Sequence, residues 1–154
     1  MCNFGLSIAV GLLFGAAGAS DDEGKPNLSG KWKIDEARTE PGPASKDLVL
    51  VVERKGQDIR IEETRGPNPK EDVSDFTCGT MGKECSMQDG GEQAKVSLYY
   101  SGPVLVVLKT QGRKSDAVEK RRISLSPEGD SLTVEITHID PEGKAEKLVF
   151  SKSK

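Results

Sequence analysis

Few side chains in this sequence could do chemistry. It has one histidine, His138, and three cysteines. His138 ends the alternating run Leu132, Val134, Ile136, so on a strand it points the same way as those apolar residues. An inward imidazole could contact a ligand or act as a general base. Its plain alternative is a rim histidine bonded to backbone or water. Glu63 and Arg65 continue the face of Ile59 and Ile61 in the same manner. They could anchor the polar end of a ligand, although two charges at a strand end commonly form a solvated rim. Tyr99 and Tyr100 face opposite ways on one strand, so only one can line a cavity. Tyr100 shares the face of Val96 and Leu98, where core packing with a satisfied hydroxyl is the ordinary role.

No catalytic motif joins these residues. There is no G-x-S-x-G, no H-E-x-x-H and no glycine loop placed to cradle phosphate before a helix. The carboxylates are many, yet nothing in the spacing sets two of them at a catalytic separation. A lone histidine without a second cysteine pair leaves no metal-ligand set, and Asp21, Asp22 and Glu23 read as a flexible acidic stretch. We therefore expect no enzyme activity, no cofactor and no metal.

The cysteines are read through the compartment. Residues 1–20 carry no charged side chain, have their densest apolar run from Leu6 to Phe14, and end in Ala17-Gly18-Ala19 before an acidic segment. This pattern predicts a secretory signal peptide cleaved near Ala19, even though it has no Lys or Arg before the apolar run. A retained membrane anchor is the rival, made a poor span by its Gly and Ala content. Cys2 precedes the apolar run and forms no lipoprotein box. The expected location is secreted or periplasmic, with no stable membrane insertion after cleavage. In such an oxidising compartment Cys78 and Cys85, flanking a short glycine-bearing loop, are expected to form a disulfide across a hairpin end. A redox pair or metal site would need different spacing.

The elements that must position these groups are strands. Leu48 to Val52 and Val104 to Leu108 are continuous apolar runs, while the segments around Ile59, Val96, Ile123 and Leu132 alternate apolar with polar. They recur at intervals typical of an antiparallel meander and are separated by glycine-bearing turns. Ser126-Pro127-Glu128-Gly129 and Asp140-Pro141-Glu142-Gly143 read as near-copies, both suited to a type I turn with a bulge. Asp35 to Ser45 and Gly66 to Asp72 read as loops, and a helix could fit only around Asp35 to Glu40. With 154 residues, 22 Lys+Arg, 25 Asp+Glu and 34% hydrophobic residues, the chain has enough apolar material for one domain with a thin core. Residues 21–154 are read as that domain. A net charge of -3 argues against a nucleic-acid partner. The predicted fold is all-β, an antiparallel up-and-down barrel of about 8–10 strands, with a two-sheet sandwich as the other way to hide the edges.

Leu28-Ser29-Gly30-Lys31-Trp32 carries a G-x-W at the start of the first strand and resembles the lipocalin and calycin superfamily. With SPEGDSLTV in a late hairpin and KLVFSK near the end, the body also resembles small exported bacterial lipocalin-like proteins of unknown function. The resemblance implies a barrel in which Gly30 permits close backbone approach and Trp32 packs across the closed end. It also implies a late-strand cation stacked on that Trp. Arg121 and Arg122 are both candidates, and alternation puts Arg121 on the inward face. The superfamily's T-D-x loop motif is absent. A single Trp argues against an avidin-like biotin site, and Asp35 to Ser45 is too short for the helical lid of the fatty-acid-binding branch.

The expected function is an exported monomer binding a small apolar or amphipathic ligand in the barrel mouth, with Trp32, Glu63, Arg65, Tyr100, Arg121 and His138 as candidate contacts. The alternative is a non-catalytic structural or interaction module with a filled barrel. The Cys78 to Cys85 hairpin and the Glu40 to Ser45 loop would then be its contact surfaces.

Overall fold

The computed structural model describes residues 24–40, 47–66, 73–111 and 117–154. The expected leader at 1–20, the acidic residues 21–23, the prolines of the Glu40 to Ser45 loop and residues 67–72 lie outside these. The described chain forms ten strands and no helix. They are β1 (Gly30–Ile34), β2 (Val49–Lys55), β3 (Asp58–Thr64), β4 (Val73–Gly79), β5 (Met81–Asp89), β6 (Glu92–Ser101), β7 (Val104–Gln111), β8 (Val118–Leu125), β9 (Ser131–Asp140) and β10 (Glu146–Lys152). Each pairs antiparallel with its neighbours in sequence, and β1 pairs with both β2 and β10, closing the barrel.

Alternation explains why this sequence closes. Leu50 and Val52 on β2, Ile59 and Ile61 on β3, Val96 and Leu98 on β6, and Leu132, Val134 and Ile136 on β9 all point inward and are buried. Each such side chain contributes about 1.5–3 kcal/mol by leaving water. Closure also removes the free sheet edges that a flat meander would leave. At one end the interior is sealed by Leu28, Trp32, Ile59, Leu98, Leu105 and Leu132, all essentially inaccessible. The N-terminal approach to β1 seals it from below, where the Trp32 Nε1–H donates to the Leu28 carbonyl at 3.0 Å. Gly30 has φ +148, and a Cβ there would meet Lys152 Cε at 3.3 Å and Trp32 Nε1 at 3.5 Å. The close approach expected of this glycine is therefore real.

One of the two expected turns changes. Ser126–Gly129 forms the expected turn, with Gly129 N–H donating to the Ser126 carbonyl at 2.9 Å and Gly129 at φ 75. The segment from Asp140 to Gly143 does not copy it. Its Asp140–Pro141 bond is cis and Gly143 does not have positive φ. Gly143 instead lies against the imidazole, where a Cβ would meet His138 atoms at 3.3–3.4 Å. Asp35 to Thr39 is a turn within the expected loop, and the helix that could have fitted there does not form; the Asp35 carboxylate accepts from the Ala37 and Arg38 amides.

The β4–β5 ladder is short, pairing only Ser74 with Asp89 and Asp75 with Gln88. Continued in the same register, it would put Cys78 opposite Cys85. Those two form the expected disulfide, with Cα atoms 5.8 Å apart. The covalent bond thus ties the seam where the backbone pairing stops. Reduction is expected to cost about 2.5 kcal/mol by loop-closure entropy. That is a fall of roughly 10 °C in Tm for a domain of this size. Thermal unfolding with and without a phosphine reductant checks this, and an unchanged Tm would remove the staple from the account.

Candidate functional site

At the end opposite Trp32 the inward faces change character. The apolar rows run through Leu50, Ile61, Phe76, Met87, Val107 and Phe150, which line a chamber. The next inward positions toward the rim are Glu63 on β3, Ser74 on β4, Lys109 on β7 and Arg121 on β8. They are there for the same reason as the apolar residues. Each falls at an even spacing from its strand's core positions, so the pleat turns it inward. The cavity volume is about 30 Å³, room for only a water or two. Beyond it the chamber opens at the strand ends.

The polar residues form one connected ion-pair cluster. Arg121 donates to Glu63 Oε2 at 2.8 Å and to Glu119 on its own strand. Arg65 reaches Glu63 Oε1 at 2.6 Å. Lys109 bonds Asp89 at 2.8 Å and stands 4.0 Å from Glu119. His138 Nε2 is 3.2 Å from Glu146, and its Nδ1 is 3.8 Å from Glu119. Burial alone would raise the Glu63 carboxyl, but the Arg121 and Arg65 guanidiniums outweigh it and hold the group at about 2. Glu119 is lowered in the same way, Arg121 and Lys109 outweighing its burial. Arg121 would be lowered by burial and is instead raised by Glu63 and Glu119.

This arrangement fixes an acid response. A carboxylate whose folded value lies below its ordinary 4.5 stabilises the fold above that value. Its contribution is lost as pH falls toward about 2. Stability is therefore expected to decline between pH 4.5 and about 2 in wild type. The decline should be shallower in Glu63→Gln, and urea midpoints measured across that window check it.

The structure brings Glu63, Arg65, Arg121 and His138 together at the mouth. Glu63 is not on a solvated rim, being 5% exposed and bonded on both oxygens. His138 sits part-buried at the rim beside Glu146. Trp32 and Tyr100 lie at the other end and do not line the chamber. Tyr100 faces inward there with Lys25 Nζ 5.6 Å from its ring centroid. Its hydroxyl has no hydrogen-bond partner among the described residues, contrary to the satisfied hydroxyl expected.

The stacking assignment also needs correction. The cation over Trp32 is Lys152, 5.5 Å from the ring centroid, and not Arg121. Register decides it, since β10 places Lys152 directly opposite Trp32 while Arg121 is drawn to Glu63 at the far end. Lys109 and Glu119 were missed by the reading of single strands. Lys109 extends the Leu105, Val107 row and Glu119 the Ile123, Arg121 row, so charges ending several inward rows were the available signal. Among the described residues no group of three or more His, Cys, Asp or Glu is placed to hold a metal ion.

No protein-family model matches the chain, and no curated protein matches it by sequence. Solved structures do match in shape. A secretory abundant heat soluble (SAHS) protein from Ramazzottius varieornatus superposes with TM-score 0.68 at 14% identity, covering 84% of this chain and 98% of its own. The REP1-NXSQ fatty acid transporter gives 0.60 at 11% identity, covering 82% and 96%. Lipid binding protein 8 of Caenorhabditis elegans gives 0.59 at 7% identity, covering 82% and 95%. At such identities the likeness is one of fold. The chain shares with these proteins its fold, here a closed, antiparallel, up-and-down barrel.

Proposed function

We propose that this barrel binds a small amphipathic molecule, its apolar part among Leu50, Ile61, Phe76 and Met87 and its polar end at the Glu63–Arg121 cluster. One observation carries the reading. The chamber wall is apolar except at the mouth, where its polar side chains converge. That division is the one an amphipathic ligand needs, burial supplying affinity and a few polar groups setting orientation. Similar shape in proteins named for fatty acid transport and lipid binding supports it. Because about 30 Å³ is enclosed, the apolar part must enter by displacing flexible side chains such as Met87. Native mass spectrometry of the exported protein tests the reading directly. A retained adduct that vanishes on denaturation, or a Tm raised by added twelve-carbon amphiphiles, is expected by linkage. Neither would appear with a barrel that admits nothing.

The small enclosed volume favours a second reading, a filled barrel that works as an interaction module. Met81, 75% exposed on the Cys78–Cys85 hairpin, would lie on its contact surface. Such a module would ignore amphiphiles and lose its partner on Met81→Glu.

Both readings place the protein outside the reducing cytosol as a monomer without catalytic activity. The disulfide and the apolar leader at 1–20 support export. The denatured mass of exported material would report cleavage near Ala19, and an intact leader would remove this part.

A further inference from the structure

Resting on the ligand-binding reading, we infer that the polar end of the bound molecule is uncharged and donates hydrogen bonds, as an alcohol, glyceryl ester or primary amide does. A free carboxylate is excluded. Two cations, Lys109 and Arg121, line the chamber. Arg121 is paired with Glu63 and Glu119, and Lys109 with Asp89. An entering carboxylate finds no uncommitted positive charge among the described lining residues. Arg121 spends Nε on Glu119 and Nη1 on Glu63, so a carboxylate that reaches its remaining N–H groups becomes a third negative charge on one guanidinium. Glu63 is 5% exposed and sits on a strand, so it cannot swing into water to make room. It would remain buried facing the entering carboxylate, an arrangement disfavoured by like-charge repulsion.

A cationic end is excluded on the same grounds. An ammonium at Glu63 would be a third positive charge on a carboxylate already shared by Arg65 and Arg121. An uncharged donor disturbs neither partner. Each carboxylate oxygen has room for more than one hydrogen bond. Glu63 Oε2 takes one from Arg121, and Glu119 Oε1 takes another. A ligand hydroxyl can donate a hydrogen bond to the chamber-lining Glu63 while the pairs stay intact. Ser74 lines the same mouth and can donate to or accept from a second ligand oxygen. Glu63 stays ionised at neutral pH, its carboxyl held at about 2, so it remains an acceptor there. The site is thus prepared to hydrogen-bond and already electrically matched.

The test uses four ligands with one twelve-carbon chain and different ends: 1-monolauroylglycerol, dodecanol, laurate and dodecylammonium. Isothermal titration of the purified protein is made at about pH 8, below each ligand's micelle threshold, so that laurate is ionised. The glyceryl ester is expected to bind at least about tenfold tighter than laurate or dodecylammonium. Glu63→Gln is expected to raise laurate affinity about tenfold, because Arg121 then faces one carboxylate fewer. Should that variant not fold, Glu119→Gln removes the other carboxylate from Arg121 and serves the same purpose. Laurate or dodecylammonium binding as tightly as the glyceryl ester would overturn the inference and leave the ligand-binding reading standing. No heat and no Tm shift with any of the four would overturn both.

Discussion

Arg121→Met is expected to lower the free energy of unfolding by about 3–5 kcal/mol, the range for stranding one member of a buried ion pair. Glu63 would keep only Arg65 and would lose the 2.8 Å contact that neutralises its inner oxygen. Glu119 would lose a partner on the same strand. Volume is not the cause, since Met fills much of the space of the Arg stem. The double variant Glu63→Leu, Arg121→Met should therefore recover much of the loss, because two apolar residues need no partners. Recovery should be incomplete while Glu119 remains. Urea unfolding of wild type, both single variants and the double variant yields the coupling energy directly. A single-variant cost under about 1 kcal/mol would mean that the mouth is effectively solvated.

Trp32→Ala is expected to cost about 3–5 kcal/mol by the usual scale for emptying a large aromatic site. Against a typical total of about 5–15 kcal/mol this is a large share. Trp32 is 0% exposed, and it carries the seal at the closed end together with Leu28 and Leu132. Trp32→Phe separates two parts of that cost. It keeps most of the ring volume but leaves the Leu28 carbonyl without the Nε1 donor, at about 1–3 kcal/mol. Because this is the only tryptophan, unfolding must be followed by circular dichroism rather than intrinsic fluorescence. Ligand affinity of the folded Trp32→Phe variant should be unchanged, since Trp32 does not line the chamber. A large drop in affinity would join two ends of the barrel that the structure keeps apart.

Strand positions were legible because alternation is a local property. Leu132, Val134 and Ile136 announce an inward face without knowledge of any partner, and all three are buried. The disulfide was legible from the number and separation of the cysteines. What was not legible depends on register, which no single strand contains. Arg121 meets Glu63 across the barrel, 58 positions away, whereas Trp32 meets Lys152 through the closing ladder. The sequence shows charges at Glu63 and Arg65 near a strand end, and a strand end is normally wet. Only when Lys109, Glu119 and Arg121 arrive from other strands does the same position become a buried, mutually neutralised cluster. The packing of Gly143 on His138 likewise depends on a neighbour outside the turn's own four residues.

The barrel is closed by its first and last strands. During synthesis β1 can pair with β2 once both have emerged, yet its other flank waits for β10, the tenth strand in chain order. Contacts such as the Val149 amide donating to Thr39 Oγ1 join residues 110 apart and can form only once β10 has been made. Up to that moment any sheet built from the earlier strands has two unsatisfied margins. A ribosome stalled before β10, or a protease that trims it, would release a sheet with two adhesive flanks rather than a smaller barrel. Closure of this barrel therefore reduces to whether β10 arrives.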